Sequence, residues 1–520
     1  MRVSTEGMWT NRLRRLALGA LPPEKLIPDT QPAYVTSWVY LFGVLTVASL
    51  LVVLASGAVL ALFGPAWWHL SSVGLFFNSV HLWSVELFFF FMALHLWGKF
   101  WMAAWRGRRG MTWVTGVVAF VVSIGTAFTG YLSQQNFDSQ WIGVQGKDGL
   151  NAAGVGAFFN VLNFGQMLLW HVLLLPVGLG LLVLVHIVLV RKHGVVRPIP
   201  AHGEPDRSAE EWRGPVRRYD LIKELTVALA VITAVSLISA WALESPDEAP
   251  VTMASWSKAD PTDFTTTALS ELDGSTEVAN YGPPYNGTKD AAQHLGPVSL
   301  QRFAGVHLPV RTSQDFVLGP LSVPADKNPA LAEALTTYRS ASPSQQHAWT
   351  SAYGKALPGA SFSNGKIGLP PGDYGPVEPM MQALLTQAQS GGLDGALVST
   401  QQFYQTDYTK PLLFLSDGGY LARLAQREHL LGSQWGMMNE TGSYPGQAWL
   451  WLYTMWYQVP PFSSSANADF EIWLIMLGLT IALALVPWIP GIRSLPGWIP
   501  VHRLIWRRYH RVAEDTQAGP

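Results

Sequence analysis

Six long apolar stretches are spaced along the chain, and polar sequence rich in glycine and proline separates them. They are called spans A to F below, and they cover about residues 35–63, 77–103, 112–132, 167–190, 222–243 and 469–490. Because a helix rises about 1.5 Å per residue, each stretch is long enough to cross a hydrocarbon layer of about 30 Å. The pattern therefore predicts an all-α membrane protein with six transmembrane helices.

Basic residues predict which side of the membrane each connecting segment occupies. The N-terminal segment, the B–C link, the D–E link and the C-terminal tail each carry several arginines or lysines. Such residues accumulate in cytoplasmic loops. We therefore expect the protein to lie in a bacterial cell membrane, with both termini in the cytoplasm and a large insert on the opposite side of the membrane. The N-terminus has no long apolar region followed by a cleavage site, so we interpret it as interfacial rather than as a signal peptide.

The insert between spans E and F differs in composition from the spans, being rich in serine, threonine, glycine, proline and tyrosine. Short helical patterns interrupt its turns, and we expect a loop-rich, partly helical extracytoplasmic domain. Four aromatic residues before span F suit a membrane-interface belt: Trp449, Trp451, Trp456 and Tyr457. The expected segments are 1–33 (cytoplasmic or interfacial), 34–200 (a four-helix bundle), 201–221 (cytoplasmic linker), 222–245 (fifth transmembrane helix), 246–467 (extracytoplasmic domain), 468–491 (sixth transmembrane helix) and 492–520 (cytoplasmic tail).

Two of the apolar spans carry two histidines each, and no other span holds one. His81 and His95 in span B are fourteen positions apart, and His171 and His186 in span D are fifteen apart. At 100° per residue both pairs keep one helix face, with an axial separation of roughly 21–22 Å. Two facing helices would thus offer one histidine pair at each of two depths, as bis-histidine haem iron requires. A single intramembrane histidine is more often a hydrogen-bonding residue between helices, but four in matched pairs favour haem.

Glycines in spans A and C repeat the same fourteen-residue step, as Gly43 and Gly57, and as Gly116 and Gly130. A glycine leaves room beside the helix backbone for a porphyrin edge. Small residues also serve helix packing in membranes, so the glycines alone would not indicate haem. Cysteine is absent from the chain, which excludes disulfides, thiolate iron–sulfur clusters and a c-type haem in this chain.

The pieces "SVHLWS", "MTWVTGVV", "TGY" and "WHVLLLP…VHIVLVRKHG" resemble the N-terminal four-helix half of cytochrome b from quinol–cytochrome c and quinol–plastocyanin oxidoreductases. The resemblance covers about 30–200. It implies two non-covalent b-type haems, one held by His81 and His171 near the outer face and one held by His95 and His186 near the cytoplasm. It also implies transmembrane electron transfer, with a quinone as substrate near the cytoplasmic haem. Candidate quinone-side residues are Arg191, Lys192, His193 and Asp220, with Lys223 nearby. Lys99 and Arg191 are candidates for the haem propionates, unless both are ordinary cytoplasmic anchors.

The C-terminal half departs from that family, because the Pro-Glu-Trp-Tyr motif of the outer quinol-oxidising site is missing and one span follows the insert. Partners expected by resemblance are other subunits of a membrane redox complex, including a Rieske protein and a c-type cytochrome, a second copy of the chain, quinone and the lipid bilayer. Nothing indicates nucleic acid, and no catalytic residue is predicted. Two alternatives stay open: the membrane anchor of a different oxidoreductase, of hydrogenase or molybdoenzyme type, and a transporter or scaffold without haem.

Overall fold

The computed structural model describes residues 8–9, 12, 15, 23–200, 206–245, 247–288, 290–363, 365–398, 407–428, 430–431 and 448–510. Most of the predicted N-terminal interfacial segment and the last ten residues of the predicted tail lie outside this described part. The described part of the chain is mostly helical with very little strand, and the all-α class is confirmed. The strands of the described part form two short antiparallel pairs, Thr30–Pro32 with Val216–Arg218 and Ser361–Ser363 with Lys366–Gly368.

All six apolar stretches form helices long enough to span a membrane, as predicted. Their bounds are Trp38–Phe63, Ser72–Trp101, Gly110–Ser133, Phe164–His193, Leu221–Leu243 and Ala468–Leu485. Span B begins five residues earlier than expected because the Ser71 side chain accepts a hydrogen bond from the backbone of Gly74 and caps the helix. Span F ends at Leu485, before Pro487 and Pro490, because a helix does not readily continue into a proline.

The chain divides into two compact units. Unit 1 comprises Met1–Ala127, Val172–Ser245 and Leu477–Pro520. Besides its parts of the spans it contains short helices at Pro23–Leu26, Pro65–Leu70, Leu495–Trp498 and Val501–Ile505. Spans A, B and E pack on one another through small and branched side chains, among them Ala48, Val52, Ala228 and Ile232.

Unit 2 comprises Phe128–His171 and Pro246–Met476. Its α-helices outside the spans are Phe137–Ala152, Met253–Ala259, Pro261–Asp273, Leu300–Ala304, Gly319–Ala325, Pro329–Ser340, Pro343–Ala356, Val377–Gln389, Gly392–Leu397, Thr409–Asp417, Tyr420–Arg427 and Trp451–Trp456, and Ser313–Leu318 is a π-turn. An aromatic cluster lies in its core, where Phe414 stacks on Phe316 at 5.4 Å and meets the edge of Trp256. The insert therefore has a hydrophobic core of its own.

The C–D link is folded into the same compact unit as the insert. The side-chain amide of Gln140 pairs with the backbone of Val251, donating at 2.9 Å and accepting at 2.8 Å. The Trp141 indole donates to the carbonyl oxygen of Leu430 at 3.0 Å, and Asn160 donates to Thr409 at 2.7 Å. Since buried polar groups need such partners, the polar side chains of the C–D link help to fix the fold of the insert.

Two carboxyl groups meet in the core of unit 2. Glu271 is fully buried, and one of its oxygens accepts a hydrogen bond from the Thr276 hydroxyl at 2.8 Å. The adjacent Asp417 accepts from the backbone of Val278 at 3.2 Å. Burial and the neighbouring carboxyl raise the pKa of Glu271, and burial raises that of Asp417. The folded protein therefore holds a proton on this pair at a pH where the unfolded chain would release it.

We predict that unit 2 loses stability as the pH rises above the unfolded pKa of glutamic acid, about 4.3, towards the higher folded pKa. Below that range the proton is bound in both the folded and the unfolded state, so the difference in pKa causes no loss of stability. Glu271→Gln keeps the shape without the charge, and should flatten the loss of thermal stability between about pH 6 and 9. The control is the exposed Glu277→Gln. An equal pH dependence in wild type and Glu271→Gln would contradict the account.

Candidate functional site

Each of the four glycines predicted to leave room for a porphyrin edge lies against one of the four intramembrane histidines. A Cβ atom added at Gly43 would stand 2.9 Å from Cε1 of His95, and one at Gly57 would stand 3.0 Å from Cε1 of His81. The corresponding distance from Gly116 to His186 is 3.1 Å. In unit 2, a Cβ atom at Gly130 would overlap the ring of His171. Real Cβ atoms essentially never approach closer than 3.0 Å, and contacts of 3.0–3.1 Å are unusually tight, so a larger residue at any of the four positions would press on the imidazole.

The imidazoles of His81 and His186 each contact a hydroxyl group on the residue that precedes the glycine. The Ser56 oxygen lies 3.0 Å from Nδ1 of His81, and the Thr115 oxygen lies 3.2 Å from Nδ1 of His186. At Gly43 the preceding residue is Phe42, and Nδ1 of His95 is buried without a hydrogen-bond partner among the described residues. The sequence analysis missed these hydroxyls, although the repeated Ser-Gly and Thr-Gly pairs of spans A and C were a visible signal.

His171 lies in a π-helical turn, Trp170–Leu174, within span D. Such a turn inserts one extra residue into an α-helix, and it occurs often at functional sites. The fifteen-residue step from His171 to His186 therefore corresponds to fourteen residues of uninterrupted α-helix, which is the step between His81 and His95. This accounts for a difference between the two spans that the sequence analysis left unexplained.

Unit 1 contains a partly open cavity of about 1990 Å³, which is about twice the upper end of the usual range for a small-molecule pocket. His95, His186, Gly43 and Gly116 line it, and so do all the residues predicted for the quinone and the propionates: Lys99, Arg191, Lys192, His193 and Asp220. The structure thus brings the predicted residues of this end of the spans together around one space.

The individual side chains around the cavity differ in how they are engaged. The Lys99 ammonium lies 5.1 Å from the centre of the Tyr40 ring and makes no ion pair with a described residue. Nδ1 of His193 is 3.3 Å from the Thr112 hydroxyl. Asp220 accepts a hydrogen bond from the backbone of Lys223 at 2.9 Å and so caps span E. That contact gives Asp220 a structural role at the helix start.

Arg109 holds the chain that follows span D. Its guanidinium donates to the carbonyl oxygens of His193 at 2.6 Å, Val195 at 3.3 Å and Ser208 at 3.0 Å. Close by, the Tyr40 hydroxyl donates to the carbonyl of Val196 at 2.8 Å and accepts from the buried Trp506 indole at 2.7 Å. These contacts fix the wall of the cavity that carries Arg191 to His193. The sequence analysis did not identify Arg109 or Tyr40, since their partners are distant along the chain.

The residues present fit a haem group held by two imidazoles. His95 and His186 both line the cavity, glycine leaves the space that their rings need, and Nδ1 of His95 is an unpartnered buried polar atom. Lys99 offers an unpaired cation beside them. Within the described residues no group of three or more His, Cys, Asp or Glu side chains is arranged to hold a metal ion.

Comparison with known proteins gives the family. Residues 86–246 match the family described as "Cytochrome b(N-terminal)/b6/petB". The cytochrome bc complex cytochrome b subunit of Chlorobaculum thiosulfatiphilum is 34% identical over 137 residues, which are 24% of this chain and 32% of that protein. Cytochrome b6 of Heliobacterium modesticaldum is 31% identical over 138 residues, 24% of this chain and 64% of that protein. Residues 86–246 are therefore similar to the cytochrome b N-terminal family.

The matches cover part of each protein. Cytochrome b of Candida parapsilosis is 27% identical over 239 residues, 41% of this chain and 59% of that protein. The chain thus spans between 32% and 64% of the length of these three relatives. A solved structure titled "Hyperthermophilic respiratory Complex III" is 15% identical, with a TM-score of 0.32, and the match covers 73% of this chain and 96% of that one. Similarity at that level carries no conclusion about the fold.

We predict that Arg109→Gln loosens the chain between span D and span E. The substitution removes charged hydrogen bonds to carbonyl oxygens, each worth about 1.5–3 kcal/mol, so local opening should become about tenfold more frequent or more. Trypsin cleavage at Arg197 and Arg207 should accelerate accordingly, as measured by mass spectrometry on protein in detergent. Arg108→Gln is the control, because Arg108 is exposed and its substitution also removes one trypsin site. Equal cleavage rates in the two variants would show that Arg109 does not hold this segment.

Proposed function

We propose that this chain is a dihaem b-type electron-transfer subunit of a membrane redox complex, with a quinone site in the cavity of unit 1. The observation that carries the proposal is the one-to-one contact between four glycines and four intramembrane histidines, in a region whose family is cytochrome b. Helix packing needs small residues, but it does not require that each of them face a histidine.

The proposed ligands are His81 and His171 for one haem and His95 and His186 for the other. A b-type haem supplies reversible one-electron transfer when bound. The protein supplies the imidazole ligands, the apolar side chains of the spans and counter-charges. Lys99 lines the cavity without an acidic partner among the described residues, and we assign it to a haem propionate, which needs positive charge. Arg191 lines the same cavity, and we assign it to the quinone.

The size of the cavity supports a second ligand beside the haem. A pocket for one small molecule has a volume of about 300–1,000 Å³, whereas this cavity has about 1990 Å³. Quinone reduction consumes two protons for two electrons, so the site needs groups that deliver protons. Asp220 is engaged as a helix cap. His193, Tyr219 and Glu224 also line the cavity, and we propose that they relay protons together with Asp220.

We place both termini and this cavity on the cytoplasmic side, and the insert outside, in a bacterial cell membrane. The clustering of basic residues at one set of span ends supports this orientation. The partners we propose are other subunits of a redox complex, since one relative is described as a subunit of a cytochrome bc complex. A Rieske protein, a c-type cytochrome and a second copy of this chain remain candidate partners.

We predict that His95→Leu and Gly116→Val each reduce the bound haem from two to one per chain. The first removes a ligand, and the second places methyl groups against the His186 ring, where a Cβ atom alone would already approach to 3.1 Å. The pyridine haemochrome assay on purified protein measures the ratio. Gly178→Val is the matched control, because no atom lies within 4 Å of a Cβ at Gly178. Two haems retained in Gly116→Val, or a haem lost in Gly178→Val, would contradict the site.

We predict separately that Arg191→Gln weakens quinol binding without loss of haem. The side chain lines the cavity, and a charged hydrogen bond to a quinone oxygen would contribute about 1.5–3 kcal/mol. The quinol concentration that half-reduces the haems should therefore rise about tenfold or more, as followed by absorbance. Arg507→Gln, an exposed tail residue outside the cavity, should leave that concentration unchanged. An unaltered response in Arg191→Gln would remove this residue from the quinone site.

A further inference from the structure

The Ser56 hydroxyl has a single proton, and it donates that proton to the backbone of its own helix. Ser56 donates to the carbonyl oxygen of Val52 at 2.9 Å and lies 3.1 Å from that of Val53. With its proton directed to these carbonyls, the Ser56 oxygen is left as an acceptor. The atom it faces is Nδ1 of His81, at 3.0 Å. A hydrogen bond between them therefore requires the proton to be on Nδ1.

Span C repeats the arrangement at the other depth of the spans. Thr115 donates to the carbonyl oxygen of Thr112 at 3.0 Å, and its oxygen lies 3.2 Å from Nδ1 of His186. In both cases the hydroxyl residue immediately precedes the glycine on which the imidazole lies. Spans A and C thus present the same two features to a histidine: a glycine against which the imidazole ring packs, and a hydroxyl oxygen that can accept a hydrogen bond from Nδ1.

We propose that Ser56 and Thr115 are positioning residues that fix His81 and His186 in the tautomer with the proton on Nδ1. This inference rests on the proposed haem function. A proton on Nδ1 leaves the lone pair of Nε2 free, and that lone pair is what binds iron. Donation from Nδ1–H to an acceptor also makes the imidazole a more basic ligand. More basic ligands favour ferric over ferrous iron, so these hydroxyls lower the reduction potential of the haem that each histidine serves.

His95 is the contrasting case. Its Nδ1 is buried without a partner, and Phe42 occupies the place that Ser56 and Thr115 occupy for the other two histidines. When Nε2 binds iron, Nδ1 of His95 must carry a proton that has no acceptor among the described side chains. In the proposed haem site of His95 and His186, the His186 ring therefore has the Thr115 hydroxyl as an acceptor in addition to the carbonyl of Thr112, whereas the His95 ring has no acceptor among the described residues.

The test is a potentiometric titration of purified full-length protein, followed by the haem absorbance. Thr115→Val keeps the shape of the side chain and removes the acceptor, and it should raise the potential of one haem while leaving the other unchanged. Ser56→Ala should raise the potential of the other haem. A change of about tenfold in the reduction equilibrium corresponds to 59 mV for a one-electron couple. Phe42→Thr adds a hydroxyl beside His95 and should lower the reduction potential of the haem whose potential Thr115→Val raises.

Thr46→Val and Ser49→Ala are the matched controls, because these hydroxyls donate to their own helix carbonyls, Phe42 at 2.8 Å and Leu45 at 2.9 Å, and contact no imidazole. If Thr115→Val and Ser56→Ala both keep two haems with unshifted potentials, this inference is overturned while the proposed function stands. Equal shifts of the potentials in the control variants would also overturn this inference. Haem loss in Thr115→Val that Thr115→Ser restores supports a positioning role, whereas haem loss in both counts against it. A wild-type protein without haem would remove the proposed function and this inference with it.

Discussion

A histidine ring within an apolar span must lie against a neighbouring helix at a place where no side chain stands in its way. The four glycine contacts meet this constraint at Gly43, Gly57, Gly116 and Gly130, and the other features of the site follow from it. The fourteen-residue step between the glycines repeats the step between His81 and His95. The π-turn at His171 adjusts span D to the same step. The sequence analysis assigned these glycines to the porphyrin edge, and that assignment stays a prediction; the structure places the imidazole rings beside the same glycines.

Patterns that are local along the chain were predictable, because helix periodicity and hydrophobic length act within one segment. The six spans and the shared faces of the histidines follow from 100° per residue and 1.5 Å per residue. Contacts between distant segments were not predictable in the same way. Gln140 pairs with Val251, Arg109 with the carbonyl of Ser208, and Trp506 with Tyr40. No periodic signal links such residues, so the place of the C–D link in unit 2 and the wall of the cavity emerged only from the structure.

Charged residues at the cavity divide into those used by the fold and those left available. Asp220 caps a helix and Arg109 binds carbonyl oxygens, so both are engaged in holding the backbone. Lys99 contacts an aromatic ring and no acidic partner among the described residues. Residue type alone could not separate these roles, since each residue sits at a span end where the sequence predicts an anchor, a ligand or a proton donor equally well.

The haem content of the purified wild-type chain tests the central claim most directly. The account predicts two haems per chain by pyridine haemochrome, with b-type absorbance in the dithionite-reduced spectrum and reduction of both haems when quinol is added. A folded, monodisperse protein without b-type absorbance, prepared from cells supplied with haem, would contradict it.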